Sequence, residues 1–363
     1  MPTNILPFLF YLAINLLFVA KYGLRFLSVT SVLLLVLAYV LFVTTIVYIS
    51  RRFSNRILCA FVVILFLLLL IAQYSIAPYT IQVDRWSAIH NWIKNLFEGV
   101  YPYSAQTHLG GYGSPFPVWQ IIHIPFYLLG NVGLSVFFFT AIFQYAVSLV
   151  YGNKAALTAS LLLIFSPCYV YEIIVRSDLI ANFLLIVSLV LLLSKYRVTL
   201  DRMWVLLACL CGMAMSTRLS ALIPFMVYYL AEYFRSSWKI RIGFPLIALS
   251  VFVLTFLPFL FWDSQMLLFF EYNPFVLQSR QGHLSDFLLF IPLGLWLSLR
   301  WKSSMRLYMF NTAMILLCLV IVTFMHNMYL NNNWDELFMS SYDITYFNMS
   351  LPFLMLAMFD EKA

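Results

Sequence analysis

Long apolar runs recur along nearly the whole 363-residue chain, and they restrict the possible fold more than any other feature. Crossing the roughly 30 Å hydrocarbon core of a bilayer takes about 20 residues as an α-helix, and residues 31–49 and 57–72 approach that length. These runs do not alternate apolar and polar residues as the strands of a β-barrel would. A helix is the remaining way to cross lipid, because it satisfies its own backbone hydrogen bonds. With 64% hydrophobic and only 10% charged residues, the chain is predicted to be an all-α polytopic membrane protein.

The distribution of charge predicts the topology. A net charge of +7 could suggest a nucleic-acid partner, but the basic residues lie in short clusters between apolar runs, as in the cytoplasmic loops of membrane proteins. We therefore expect no nucleic-acid partner. Four such clusters mark the cytoplasmic side: Arg51, Arg52 and Arg56; Lys195, Arg197 and Arg202; Arg235, Lys239 and Arg241; and Arg300, Lys302 and Arg306.

With these clusters inside, we predict one transmembrane domain, residues 1–363, of about twelve helices (11–13) with both termini in the cytoplasm. A bacterial inner or plasma membrane is the expected location. The helices are expected near residues 5–20, 29–50, 57–77, 131–151, 155–172, 178–194, 203–217, 219–234, 241–262, 285–299, 307–326 and 345–359.

A proline-broken run at residues 117–130 does not fit this topology as a span, because it would place Lys195 and Arg197 outside. It is predicted to lie in the membrane interface or to re-enter the membrane. The alternative is an ordinary transmembrane helix and one exception to the charge rule.

Polar residues that could do chemistry collect on the predicted extracytoplasmic side. That side receives all five histidines and three polar loops, at residues 78–116, 263–284 and 327–344. The five cysteines all lie in apolar runs, and imply neither a disulfide framework nor a metal cluster. Function is therefore expected in the outer loops.

The first outer loop contains a predicted amphipathic helix at residues 84–99. Trp86 and Trp92 suggest that this helix lies at the membrane interface, and Gly99 is a natural stop. Asp84 has two interpretations: a helix N-cap that accepts backbone N–H bonds, or a carboxylate poised as a general base. A good cap lowers the pKa of the carboxyl group and so weakens a base.

The order of several short motifs resembles that of GT-C fold glycosyltransferases, polytopic enzymes that take sugars from polyprenyl-phosphate carriers. The similarity covers a core module at residues 57–235, which includes the loop 78–116, and leaves 236–363 as more variable C-terminal helices. Its motifs are Asp84, Glu98-Gly99, Pro102-Tyr103, a turn rich in Gly, Tyr and Pro at 110–117, Pro125, Ser166-Pro167, Arg176-Ser177-Asp178, and 212–218 followed by Pro224.

The resemblance implies an inverting sugar transfer at the extracytoplasmic face, from a polyprenyl-phosphate sugar to a glycan, lipid or protein acceptor. Asp84 is the expected base and Arg218 the expected phosphate contact. Further candidates for binding the donor phosphate or sugar are Arg280, Arg176, Asp178, Tyr103 and His108. A single acid stands where some relatives have a carboxylate pair, so no cofactor is required, although a divalent metal would be compatible.

Structural roles are the alternatives at three of these positions. Arg218 could pair with an outer carboxylate such as Asp178, and Arg176 could form a local ion pair with Asp178. Arg280 could be an exposed loop residue. The chain has no Asp-x-Asp motif and no Gly-rich phosphate loop, so a transferase here would need a lipid-carried donor.

Three other functions compete with the transferase. A polysaccharide polymerase or ligase of lipid-linked glycans would tend to carry its key arginine and histidine in a late loop, whereas the richest loop here comes early. A transporter or flippase would place polar residues at mid-membrane depth and show an internal repeat; no repeat is visible. A purely structural membrane subunit is the fourth interpretation.

Overall fold

The computed structural model describes residues 5–50, 52–279, 282, 284–300, 304–333 and 343–360, and within these ranges the protein is helical without a β-strand. Short 3₁₀ turns lie at Pro78–Thr80, Pro102–Ser104, Leu219–Ala221 and Ile344–Met349. The α-helices are α1 Ile5–Gly23, α2 Val29–Ser50, α3 Asn55–Ser75, α4 Arg85–Glu98, α5 Pro117–Ile122, α6 Ile124–Leu128, α7 Leu134–Tyr151, α8 Asn153–Ile164, α9 Pro167–Ile174, α10 Leu179–Lys195, α11 Leu200–Met215, α12 Leu222–Arg235, α13 Trp238–Trp262, α14 Ser264–Leu268, α15 Pro274–Ser279, α16 Leu284–Arg300, α17 Met305–Asn331 and α18 Leu351–Leu356.

Six of the described helices are long and apolar enough to cross a membrane: α1, α2, α3, α7, α13 and α17. Helices α8 and α9 would make a seventh span if they act together, although they meet at a bend of 68°. Each of the twelve predicted segments coincides with helical structure, but some are short. Helix α12 has 14 residues, and the last segment consists of a 3₁₀ turn and the six-residue α18.

Some of the long helices expose an apolar surface and others are covered by protein, and this arrangement supports an integral membrane protein. In α2 and α3 most of the apolar surface is exposed, as at Leu34 (64%) and Leu68 (55%). Water would penalise such contiguous apolar faces, whereas lipid accepts them. Helix α17 is mostly covered by protein and packs against α12, α16 and α18, while α10 packs against α7 with most of its side chains buried.

Helix α4 ends as predicted, with Gly99 in the left-handed conformation at φ 70°. The two tryptophans, however, do not face a membrane interface. Trp86 is 3% exposed and Trp92 is 1% exposed, and Trp92 packs against Tyr103 and Phe259, with ring centroids 5.7 and 5.4 Å away. Protein therefore covers most of the apolar face of α4, although Phe97 is 56% exposed, and the position of the helix at the membrane interface stays a prediction.

The run 117–130 forms two short helices, α5 and α6, rather than one span. They have six and five residues, and Gly130 reverses the chain with φ 84°. Trp119 and His123 are fully buried, whereas Leu128 and Leu129 are exposed. Helices of this length cannot cross a bilayer at 1.5 Å per residue.

The first polar loop lies against the segment that follows α13. Tyr112 and Tyr272 have ring centroids 5.3 Å apart, and the side chain of Gln278 donates to the carbonyl oxygen of Ser114 over 3.0 Å. Two loops that are far apart in sequence therefore form one polar end of the molecule, which also holds the candidate site.

Candidate functional site

A buried ion pair between Asp178 and Arg218 lies at the centre of this end. The guanidinium Nη2 of Arg218 is 2.7 Å from Asp178 Oδ2, and the two side chains are 9% and 2% exposed. Asp178 immediately precedes α10, and Arg218 lies in extended backbone between α11 and α12. The indole N–H of Trp119 donates to the same carboxylate oxygen over 2.6 Å. The pairing considered above as a structural role for Arg218 is therefore present.

The electrostatics of this pair keep the carboxylate ionised. Burial acts to raise the pKa of Asp178, but the positive charges of Arg218 and Arg85 outweigh burial and lower the pKa to about 2. A buried pair of this kind is costly to desolvate, and removing one partner leaves an uncompensated charge. The pair therefore holds the starts of α10 and α12 in a fixed relation.

Arg85, which was not among the predicted site residues, connects the first loop to this pair. Its guanidinium forms an ion pair with Asp343 and donates to the hydroxyl of Ser177 over 3.3 Å. Burial acts to raise the pKa of Asp343, but the charge of Arg85 outweighs this and lowers it. The only local signal was that Arg85 follows Asp84; its partners are 92 and 258 residues away in sequence.

Glu172 forms a second buried contact between distant segments. Its side chain accepts hydrogen bonds from the Asn348 amide over 2.8 Å and from the backbone N–H of Ile180 over 3.2 Å, and both Glu172 and Asn348 are fully buried. These bonds attach the turn before α18 to the start of α10.

Asp84 occupies the N-cap position of α4, but its carboxylate does not cap the helix. Instead Asp84 Oδ2 accepts a hydrogen bond from the Thr107 hydroxyl over 2.9 Å. A Cβ added at Gly111 would lie 3.1 Å from the same oxygen, so a larger residue there would crowd the carboxylate. The side-chain cap interpretation is wrong, and the carboxylate faces the turn at residues 107–111.

His108 and Tyr103 belong to the same loop and are held by protein groups. The Nε2 of His108 donates to the Ile81 carbonyl over 2.8 Å, because a carbonyl can only accept, and its Nδ1 lies 2.7 Å from the Ser87 hydroxyl. Tyr103 is 1% exposed and packs between Trp92 and Phe259.

Arg176 does not form the local ion pair with Asp178 that was considered. Its Nη2 donates to the carbonyl oxygens of Gln73 and Ile76, over 3.0 and 3.1 Å. A cation bound to the last carbonyls of α3 complements the negative end of that helix. Arg280, and the polar stretch 334–342 of the third loop, lie outside the described residues.

Next to the ion pair is a cavity of about 350 Å³ between α12, α16 and α17. Arg218 lines it, and the Arg218 Nε has no hydrogen-bond partner in the described part of the chain. Polar atoms come from few other residues, chiefly Ser114, Gln278 and Thr323. The apolar walls comprise Leu179, Leu219, Leu222, Phe287, Leu319, Val320, Phe324, Tyr346 and Met349.

Asp84 is not among the residues that line this cavity, and Arg85 connects its helix to Ser177, the residue before Asp178. Within the described ranges, no three His, Cys, Asp or Glu side chains are grouped so that they could hold a metal ion. Comparison of the chain with protein-family models, curated proteins and solved structures finds no match.

Proposed function

We propose that this chain is a glycosyltransferase that moves a sugar from a polyprenyl-phosphate donor to an acceptor at the extracytoplasmic face of the membrane. The observation that carries the proposal is the apolar cavity lined by Arg218. The proposal includes the GT-C-like arrangement of about twelve spans, with both termini in the cytoplasm.

An amphiphilic donor matches this cavity in chemistry. Arginine has five N–H donors in a planar fork that suits phosphate oxygens, and only Nη2 of Arg218 binds Asp178. The N–H groups of the Arg218 guanidinium that do not bind Asp178 could donate to a phosphate oxygen, while Leu222, Leu319 and Phe324 offer apolar contact to the first isoprenoid units. A volume of about 350 Å³ falls within the usual range for small-molecule sites.

Asp178 acts in this proposal as a positioning residue. It holds the Arg218 guanidinium through a 2.7 Å contact and is itself held by Trp119. A fixed donor group stabilises a leaving phosphate without reorganising during the reaction. The partial neutralisation of Arg218 by Asp178 also favours release of the product lipid phosphate.

Asp84 is the proposed general base. The acceptor hydroxyl attacks the anomeric carbon and gives its proton to the Asp84 carboxylate, while the bond from that carbon to the phosphate oxygen breaks. Polyprenyl phosphate leaves with the electron pair, and the configuration at carbon inverts. The hydrogen bond from Thr107 orients the carboxylate and leaves Asp84 Oδ1 for the acceptor.

The test is sugar transfer by the purified protein reconstituted in lipid vesicles with a radiolabelled polyprenyl-phosphate sugar and a mixture of candidate acceptors. We expect transfer by the native protein and a loss of about a hundred- to ten-thousandfold in Asp84→Asn, which removes a general base. The matched control is Glu98→Gln, on the same helix α4 with a side chain 55% exposed, which should transfer normally.

Thermal unfolding of each variant separates loss of chemistry from loss of fold. Full activity of a folded Asp84→Asn would overturn the role of Asp84. Movement of the intact lipid-linked sugar across the vesicle membrane, without transfer to any acceptor, would overturn the transferase and favour a flippase.

A further inference from the structure

A second groove, of about 450 Å³, lies far in sequence from the residues of the proposed site, between the start of α3, the second half of α7 and the start of α8. Its polar lining comes from Asn55, Arg56, Gln144, Ser148 and Asn153. No aspartate or glutamate is among its described lining residues. The groove therefore combines hydrogen-bonding groups with positive charge and no compensating acid.

The positive charge is reinforced by neighbours. Arg56 is exposed and has no ion pair in the part of the chain that the structure describes. Lys154, beside the lining residue Asn153, donates through its ammonium group to the carbonyl oxygen of Phe53, which fixes the start of α8 to the turn before α3. Arg52 lies in that same turn. Arg56 lines the groove itself, whereas the Arg52 guanidinium is held by the hydroxyl and ring of Tyr48.

The groove continues into an apolar surface along α3. Residues three and four apart share a helix face, so the face of Arg56 and Cys59 continues through Val63 and Leu67. These two side chains are 51% and 53% exposed. A molecule with its anionic group at Arg56 could lay an apolar chain along this face without meeting a further charge.

We propose that this groove binds the headgroup of an anionic phospholipid, with an acyl chain along Val63 and Leu67. Basic side chains at the edge of an apolar helix face attract anionic lipids, with about 1 kcal/mol per residue, equivalent to about a fivefold change in affinity. The proposal does not depend on the transferase activity, since none of the groove residues belongs to the site around Arg218.

Native mass spectrometry of the whole protein, released from detergent with added phosphatidylglycerol or phosphatidylcholine, tests the proposal. We expect bound phosphatidylglycerol to survive at about fivefold higher occupancy than phosphatidylcholine. Arg56→Gln should remove that preference, and should keep the fold because Arg56 is exposed. The matched control Arg202→Gln, an exposed arginine in the first turn of α11, should retain it.

A second variant and a second ligand distinguish the alternatives. Ala141→Leu adds volume to the exposed groove wall and should reduce binding of phosphatidylglycerol without altering charge. Inorganic phosphate should not compete at equal concentration, because it lacks the acyl contact; competition by phosphate would show a site for free anions and overturn the lipid assignment. Equal occupancy in Arg56→Gln and Arg202→Gln would overturn the groove as the site.

Discussion

The two carboxylates nearest the candidate chemistry, Asp84 and Asp178, lie in contrasting surroundings. Asp178 is 2% exposed and is bound by an arginine and an indole N–H, whereas Asp84 is half-buried and accepts one side-chain hydrogen bond, from Thr107. Each carboxylate has an oxygen without a hydrogen-bond partner in the described part of the chain, so the difference between them is the cation: a carboxylate paired with an arginine is a poor proton acceptor. In the function proposed above, Asp178 is therefore the supporting residue and Asp84 the base.

The largest expected effect comes from removing the cation of the buried pair. Arg218→Met should lower the free energy of unfolding by about 3–5 kcal/mol, because Asp178 is left charged and buried. Chemical denaturation in detergent measures this. The double variant Asp178→Asn with Arg218→Met should lose less free energy of unfolding than Arg218→Met alone. A loss no greater than that of the exposed Arg202→Met would refute a structural contribution of the pair.

Acid should lower the free energy of unfolding through the same ion pair. Because the pKa of Asp178 is lowered to about 2, its contribution is complete above the ordinary aspartate pKa of about 4 and is lost as the pH falls from about 4 towards 2. The expected loss is about 2 kcal/mol. Melting temperatures measured between pH 5 and pH 2.5 should fall more steeply for the native protein than for the double variant; parallel curves would contradict the assignment.

Breaking the contacts by which Arg85 joins α4 to Ser177 and Asp343 should have a smaller effect on the free energy of unfolding. Arg85→Met removes the contacts to Ser177 and Asp343 and should cost about 1–2 kcal/mol. Lys94→Met is the control on the same helix, where a 3.9 Å contact between exposed charges contributes little. Increased proteolysis of the loop 78–116 in Arg85→Met alone would support the link, and identical cleavage of both variants would argue against it.

The smallest effect on stability is expected around Asp84 itself. Thr107→Val deletes the hydrogen bond to Asp84 and should cost about 1 kcal/mol, together with a decrease in the rate of sugar transfer. Added to Asp84→Asn, the same substitution should have no further effect on that rate. Independent, additive rate effects in this double-mutant cycle would show that Thr107 does not act through Asp84.

Elements with a local cause could be predicted from the sequence. The lengths of the apolar runs predicted the helices, and Gly99 ended α4 where expected, because hydrophobic periodicity and left-handed glycine act over a few residues. The run 117–130 was correctly separated from the ordinary spans. The number of spans does not follow from the sequence alone, because a helix such as α12, with 14 residues, can be apolar through packing inside the protein.

The chain by itself determined an all-helical, largely apolar molecule whose polar stretches fall between the apolar runs. Only the tertiary structure decided which groups meet: Asp178 binds Arg218 rather than Arg176, two residues away, and Asp84 faces Thr107 rather than its own helix. The physical reason is that an ion pair depends on position in space, and 40 residues of chain separate Asp178 from Arg218. The residues next to Asp178 in sequence therefore do not predict that Arg218 lies beside it in space.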